Sequence, residues 1–179
     1  MIVKKTKFKG LLIVKQSNNI DTRGSLRETF NNKYLKKQFI FEYCTTSKKN
    51  VLRGLHFQTN PNSQGKLVEC ILGKVYDVIL DLRSTSNTFM EWGGLELSEE
   101  NKKQIWIGKG FAHGFYTLSD HAHVIYKIDN YWNKNSERTI IWNDPSLSID
   151  WHLTEEKPLL SDKDSVGKEI KDLSKEELF

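Results

Sequence analysis

From Val51 to Arg83 the chain reads VLRGLHFQTNPNSQGKLVECILGKVYDVILDLR, with apolar residues recurring at every second position over several short runs. A period of two is that of a β-strand, whose alternate side chains share one face. Tyr76, Val78, Leu80 and Leu82 therefore form one wall of a barrel or sandwich. The same counting sends His56 and Gln58 to one side of a strand over 51–58. Over 66–72 it places Lys66 on the side carrying Val68, Cys70 and Leu72. An imidazole, an amide and an ammonium are thus expected to point into one apolar cavity. Further on, Ala122, Val124, Tyr126 and Ile128 share a face, so Tyr126 belongs to the interior and its hydroxyl needs a partner or a task.

The remaining pattern predicts strands over 10–14, after the turn at Arg23-Gly24, and over 39–47, 94–97, 104–107, 115–118, 121–128, 130–132 and 139–142. The Lys-rich segment 31–38 reads as one short helix, the polar loop 59–65 as a mobile opening over a pocket, and 168–179 as a charged tail with a marginal helix. About ten short strands separated by turn signals argue for an all-β fold, a jelly-roll barrel with a few short helices. At 179 residues this is a single domain spanning 1–179, long enough to bury a core.

Charge changes the picture little: 27 Lys and Arg against 23 Asp and Glu leave a net +4, without a basic block. That favours an anionic small molecule over nucleic acid as partner. No apolar run approaches the roughly 20 residues of a membrane span, and MIVKKTKFKG lacks the apolar stretch of a signal peptide. The expected setting is the cytoplasm, with Cys44 and Cys70 as buried thiols.

Metal-binding jelly rolls use an H-x-H pair, a carboxylate and a third His in a glycine-rich turn. Here the pair reads His56-Phe57-Gln58, Lys66 falls near the carboxylate position, and the turn Gly108 to His113 supplies the last imidazole. A cation among the ligands makes a poor metal site, so a metal-free pocket is expected. His56, Lys66, His113 and Tyr126 around an apolar cup suit proton abstraction beside a ketone: an imidazole base, a phenol acid on the far side, and a cation for the enolate oxygen. The outcome of that chemistry is epimerisation. Each residue also has a structural reading, as a satisfied core histidine, a packed tyrosine or a turn residue, and a non-catalytic sugar-binding barrel is the alternative. An inward lysine weighs against it, since buried lysines have partners or functions.

RGLHFQ (53–58), QGKL (64–67), DVILDLR (77–83), GFAHGF (110–115), Tyr126-Lys127, WNDP (142–145) and LSDKD (160–164) resemble, in order and spacing, the dTDP-4-dehydrorhamnose 3,5-epimerase family. The resemblance runs from DTRG at Asp21 to LSDKD. It implies a cupin-like jelly roll, a homodimer in which N-terminal strands cross to the partner, and a nucleotide-linked 4-keto-6-deoxyhexose as substrate, with no metal or organic cofactor. It implies His56 as base, Asp164 as the carboxylate orienting it, Tyr126 as acid, and Lys66 and His113 around the C4 oxygen and sugar ring. Arg53 is matched to the diphosphate; Arg23 and Glu28 to the nucleotide, partly across the dimer; Trp132 to an aromatic near the nucleotide, followed by Glu137.

The chain departs from the family pattern at Phe41-Glu42-Tyr43-Cys44, where a Gln-x-Asn strand is usual, at Ser25-Leu26, and at Gly108, which replaces a proline. Related activities on one carbon only, or moving the carbonyl between C4 and C3, are the neighbouring alternatives. Strict alternation also sets Arg53 opposite His56, which a bulge at Gly54 would reconcile.

Overall fold

A computed structural model describes residues 1–179. In chain order it contains β1 (Ile2–Lys5), β2 (Leu11–Lys15), β3 (Asn18–Asp21), β4 (Gly24–Arg27), α1 (Asn32–Leu35), β5 (Phe41–Lys48), β6 (Leu52–Gln58) and β7 (Lys66–Leu72). Then follow β8 (Lys74–Asp81), β9 (Trp92–Ser98), β10 (Lys103–Ile107), β11 (Phe111–Thr117), β12 (His121–Ile128), β13 (Glu137–Thr139) and α2 (Asp162–Ser165), with 3-10 turns at Ile170–Asp172 and Lys175–Glu177. No helix is long and apolar enough to cross a membrane.

Two antiparallel sheets carry the fold, one ordered β1-β2-β10-β7-β12-β5 and the other β13-β6-β11-β8-β9, while β3 and β4 form a separate hairpin. Neighbours in each sheet are mostly distant in sequence, the crossing pattern of a cupin-like jelly roll. Val68, Cys70, Val124, Tyr126 and Ile128 from the first sheet meet Val75, Ile79 and Phe115 from the second in the main core. The inward faces predicted for β7 and β12 are thus the observed ones, except that Leu72, at the end of β7, is exposed.

On β8 both faces are buried, and the predicted wall is the outer one. Val78, Leu80 and Leu82 pack with Leu52, Leu55 and Phe57 under Leu147, Trp151 and Ile170 of the C-terminal segment. The cavity side carries Val75, Asp77 and Ile79 instead. Alternation finds the two faces of such a strand but not which is the inside.

Several boundaries move for identifiable reasons. The helix expected over 31–38 is a single turn, capped by Asn31 and ended by Lys36 in a left-handed conformation (φ 52°, ψ 47°). No strand forms over 130–132, because the backbone there serves Gln58: its amide donates to the carbonyls of Asn62 (2.6 Å) and Tyr131 (3.1 Å) and accepts from the Asn133 N–H (2.7 Å). The loop 59–65, expected to be mobile, is tied down by the Thr59 N–H to Ser136 O (2.9 Å) and the Gly65 N–H to Asp129 Oδ1 (2.6 Å). Residues 168–179 are likewise docked: Glu177 is buried against Arg138 and Lys168, and Phe179 pairs with Leu82 and Ser84. Of the two free thiols Cys70 is buried, but Cys44 is exposed on β5.

Candidate active site

Between the sheets lies a cleft of about 210 Å³ with residues from both walls in its lining. Arg53 and His56 of β6 and His113 of β11 face it from one sheet; Lys66 of β7, Tyr126 of β12 and Tyr43 of β5 face it from the other. Arg53 and His56 share a face because the β6 to β11 pairing slips: His113 sits opposite His56, but Phe115 sits opposite Arg53. One extra residue on β6 is absorbed at Gly54, whose φ of +124° suits glycine. A Cβ there would lie 2.6 Å from the Gly114 Cα, so the bulge also depends on close backbone approach. Arg53 is steadied by bonds from Nε to Ser47 Oγ (3.0 Å) and from Nη2 to the Thr46 carbonyl (3.2 Å).

His56 Nε2 is 2.5 Å from Asp164 Oδ1, and Ser161 Oγ donates to the second carboxylate oxygen at 2.9 Å. Ser161 caps α2, so the short helix exists to present this carboxylate. Burial lowers the His56 pKa, Asp164 opposes that, and the charges of Lys163 and Lys66 add to the lowering. Burial acts to raise the Asp164 carboxyl, but the hydrogen bonds and charge of its partners hold it below its ordinary value. A neutral imidazole donating Nε2–H to a carboxylate keeps Nδ1 as the free lone pair, which is the state of a general base.

Lys66 has no carboxylate within ion-pair distance, because Glu137 at the cleft is taken by Lys163 at 3.0 Å. Burial, only partly offset by Glu137 and Asp77, brings the Lys66 ammonium down to a pKa of about 8. It is a cation awaiting an anion. Burial acts against ionised Glu137 too, yet Lys163, a Trp132 hydrogen bond and His56 leave its pKa lowered. Tyr126 is buried, edge-on to His113 with centroids 6.0 Å apart, and burial with the neighbouring Tyr43 and Asp77 raises its pKa well above 10. It remains a protonated donor at neutral pH.

The other predicted site residues fall elsewhere within the chain. Gln58 spends its amide on backbone and does not line the cleft. Trp132 stands at the rim beside Glu137 and is 57% exposed. Arg23 pairs with Asp21 (2.7 Å) on the exposed β3–β4 hairpin, and Glu28 accepts from Asn31 (3.1 Å). Four residues were not foreseen: Asp77, buried and 2.8 Å from His113 Nε2, together with Tyr43, Thr45 and Lys163 at the cleft. Asp77 was legible only as an acid interrupting an apolar strand. Lys163, inside LSDKD, gave no signal apart from its neighbour.

No group of three or more His, Cys, Asp or Glu side chains is arranged to hold a metal ion. A base with its carboxylate on one wall, and a phenol and an unpaired cation on the other, fit enolate chemistry.

The model of the family described as dTDP-4-dehydrorhamnose 3,5-epimerase matches residues 5–172. The chain belongs to that family. A relative from Shigella flexneri named dTDP-4-dehydrorhamnose 3,5-epimerase is 46% identical over 178 residues, 96% of this chain and 97% of its own length. Among solved structures, the dTDP-6-deoxy-D-glucose-3,5-epimerase of Legionella pneumophila, in complex with dTDP-4-keto-L-rhamnose, superimposes with a TM-score of 0.93 at 41% identity, covering 99% of this chain and 96% of that one. The Bacillus anthracis dTDP-4-dehydrorhamnose 3,5-epimerase with TDP and PPi bound gives 0.90 at 39% identity, over 94% and 99%. As a member of the epimerase family the chain is an isomerase, and its cupin-like jelly roll is the fold of these relatives.

Proposed function

We propose that the protein inverts C3 and C5 of dTDP-4-dehydro-6-deoxy-D-glucose, using the cleft residues in the following roles. His56 removes the proton from a carbon beside the C4 carbonyl, and the electron pair moves onto the carbonyl oxygen. Lys66, with His113 held by Asp77, meets the oxyanion in a poorly solvated site where a charge contact is stronger than in water. Tyr126 delivers a proton from the opposite face. Asp164 keeps Nε2 of His56 protonated and steadies the imidazolium. The observation that carries this reading is the placement of His56 and Tyr126 on facing sheets, with the unpaired Lys66 opening into the same cleft from the Tyr126 wall.

A cleft of about 210 Å³ lies below the roughly 300 Å³ at which small-molecule pockets begin, so it encloses the sugar and leaves the nucleotide at the rim. There Arg53 takes the diphosphate, and Trp132 with Glu137 borders the nucleotide. In this reading the protein is a homodimer in the cytoplasm. The β3–β4 hairpin, whose Ile20 and Leu26 are 77% and 66% exposed, crosses to the partner and carries Arg23 and Glu28 to its nucleotide. The chemistry calls for no cofactor. Incubation with the substrate in deuterated water, followed by NMR, tests the reading: label at both C3 and C5 of an inverted product is expected. Label at one carbon would identify a mono-epimerase, a displaced carbonyl a ketoisomerase, and no exchange a binding protein.

A further inference from the structure

Four rings run in a near-parallel file from the surface to the cleft. Tyr131 stacks on Phe41 (5.9 Å, 9°), Phe41 on Tyr43 (5.8 Å, 26°), and Tyr43 on Tyr126 (4.7 Å, 19°). Tyr43 and Tyr126 are direct cross-strand partners in the β5 to β12 register, so both phenols project from the wall opposite His56. Phe41 and Tyr43 occupy the very strand where the family resemblance expects Gln-x-Asn.

The Tyr43 hydroxyl is not consumed by the protein. It has no hydrogen-bond partner there, and the groups acting on it are the cleft residues Glu137 and Arg53. Burial, with Glu137, pushes its pKa up to about 12, which keeps it protonated. The side chain is nonetheless 40% exposed, so solvent can restore a proton to it. One fixed acid has to serve two carbons that flank the ketone on opposite sides. Two hydroxyls side by side on one wall divide that task.

We propose that Tyr43 is a second proton donor of this site, supplying the inverting proton to one of the two carbons beside the ketone while Tyr126 supplies it to the other. The inference rests on the epimerase reading above. In each half-reaction His56 takes the C–H proton and the electron pair moves to the C4 oxygen. The pair then returns to carbon, a C–H bond forms on the opposite face, and the phenol O–H breaks. The phenolate regains a proton from water and the imidazolium releases one to water, so each inversion closes without an oxidant or reductant.

The test compares wild type, Tyr43→Phe and Tyr126→Phe acting on dTDP-4-keto-6-deoxyglucose in deuterated water, with each carbon followed by NMR. Phenylalanine keeps the stack and removes only the hydroxyl, and thermal melting checks that the fold is retained. Tyr43→Phe is expected to invert one carbon normally. At the other carbon inversion falls by about 100-fold, while deuterium enters with retained configuration because His56 still abstracts and returns. Tyr126→Phe should give the complementary pattern. Normal inversion of both carbons by Tyr43→Phe overturns the proposal, and so does an equal loss at both, which would make Tyr43 a support for Tyr126. A wild type that exchanges at neither carbon overturns the underlying epimerase reading, and one inverting a single carbon overturns only the division of labour between the phenols.

Discussion

At the scale of residues, the His56–Asp164 pair at 2.5 Å and the unpaired Lys66 set the expected kinetics. Removing the base in His56→Ala should lower kcat by about 10²–10⁴-fold, the usual contribution of general-base catalysis, with an unchanged melting curve. Asp164→Asn should fall within the same range while leaving KM nearly constant, since the carboxylate acts through the imidazole. Lys66 separates activity from stability. Its pKa drops from 10.5 to about 8 on folding, which corresponds to about 3 kcal/mol against the charged form. Between pH 8 and 10.5 the unfolded chain holds more protons at this position, so the destabilisation from burying Lys66, full below pH 8, is relieved as pH rises across that window. In the proposed mechanism turnover needs the ammonium and should decline through pH 8 over the same interval. Lys66→Met is therefore expected to raise the melting temperature and abolish epimerisation, checked by calorimetry and by product NMR. These residues were legible in the sequence because histidine, lysine and tyrosine stood at inward positions of apolar strands. Asp77 was not, because β8 is buried on both sides and its alternation does not say which side holds the cavity.

At the scale of elements, the bulge in β6 decides the site's geometry. Gly54→Ala would meet both a positive φ and the Gly114 backbone, so a loss of at least about 2 kcal/mol in urea denaturation is expected, along with weaker substrate binding as Arg53 turns from the cleft. The sequence pointed to this bulge only through a conflict: alternation set Arg53 opposite His56, whereas the resemblance wanted both near the substrate. Strands β7 and β12 were legible almost to the residue because one face of each is apolar and inward. The edge strand β1 was not foreseen, being half lysine and largely exposed. Segment 130–132 looks like a strand in composition, but its carbonyls are taken by side-chain amides, that of Asn130 by Gln64 and that of Tyr131 by the buried Gln58. Side-chain amides that capture backbone leave no periodicity to read.

At the scale of the whole molecule, the jelly roll was legible from strand count and turn spacing, while the role of the C-terminal segment beyond Asp144 was not. Residues beyond Asp144 read as turns with a charged tail, yet they cover the apolar outer face of the second sheet and carry Asp164 to His56. Deleting 168–179 removes Glu177 from Arg138 and strips part of that cover. The expected result is a lower melting temperature and reduced kcat even though no cleft residue is lost. The exposed Ile20 and Leu26 of the hairpin bear on assembly. In the dimer reading, a double substitution to Asp should give a monomer in sedimentation, with a raised KM and an intact barrel by circular dichroism.

The position of α2 also orders events in time. During synthesis on a ribosome every strand of both sheets emerges before Asp164 does, so a nascent barrel holds its imidazole without the carboxylate that orients it. Competence therefore arrives late, with the cover, and a chain stalled after β13 would be folded in outline but chemically silent.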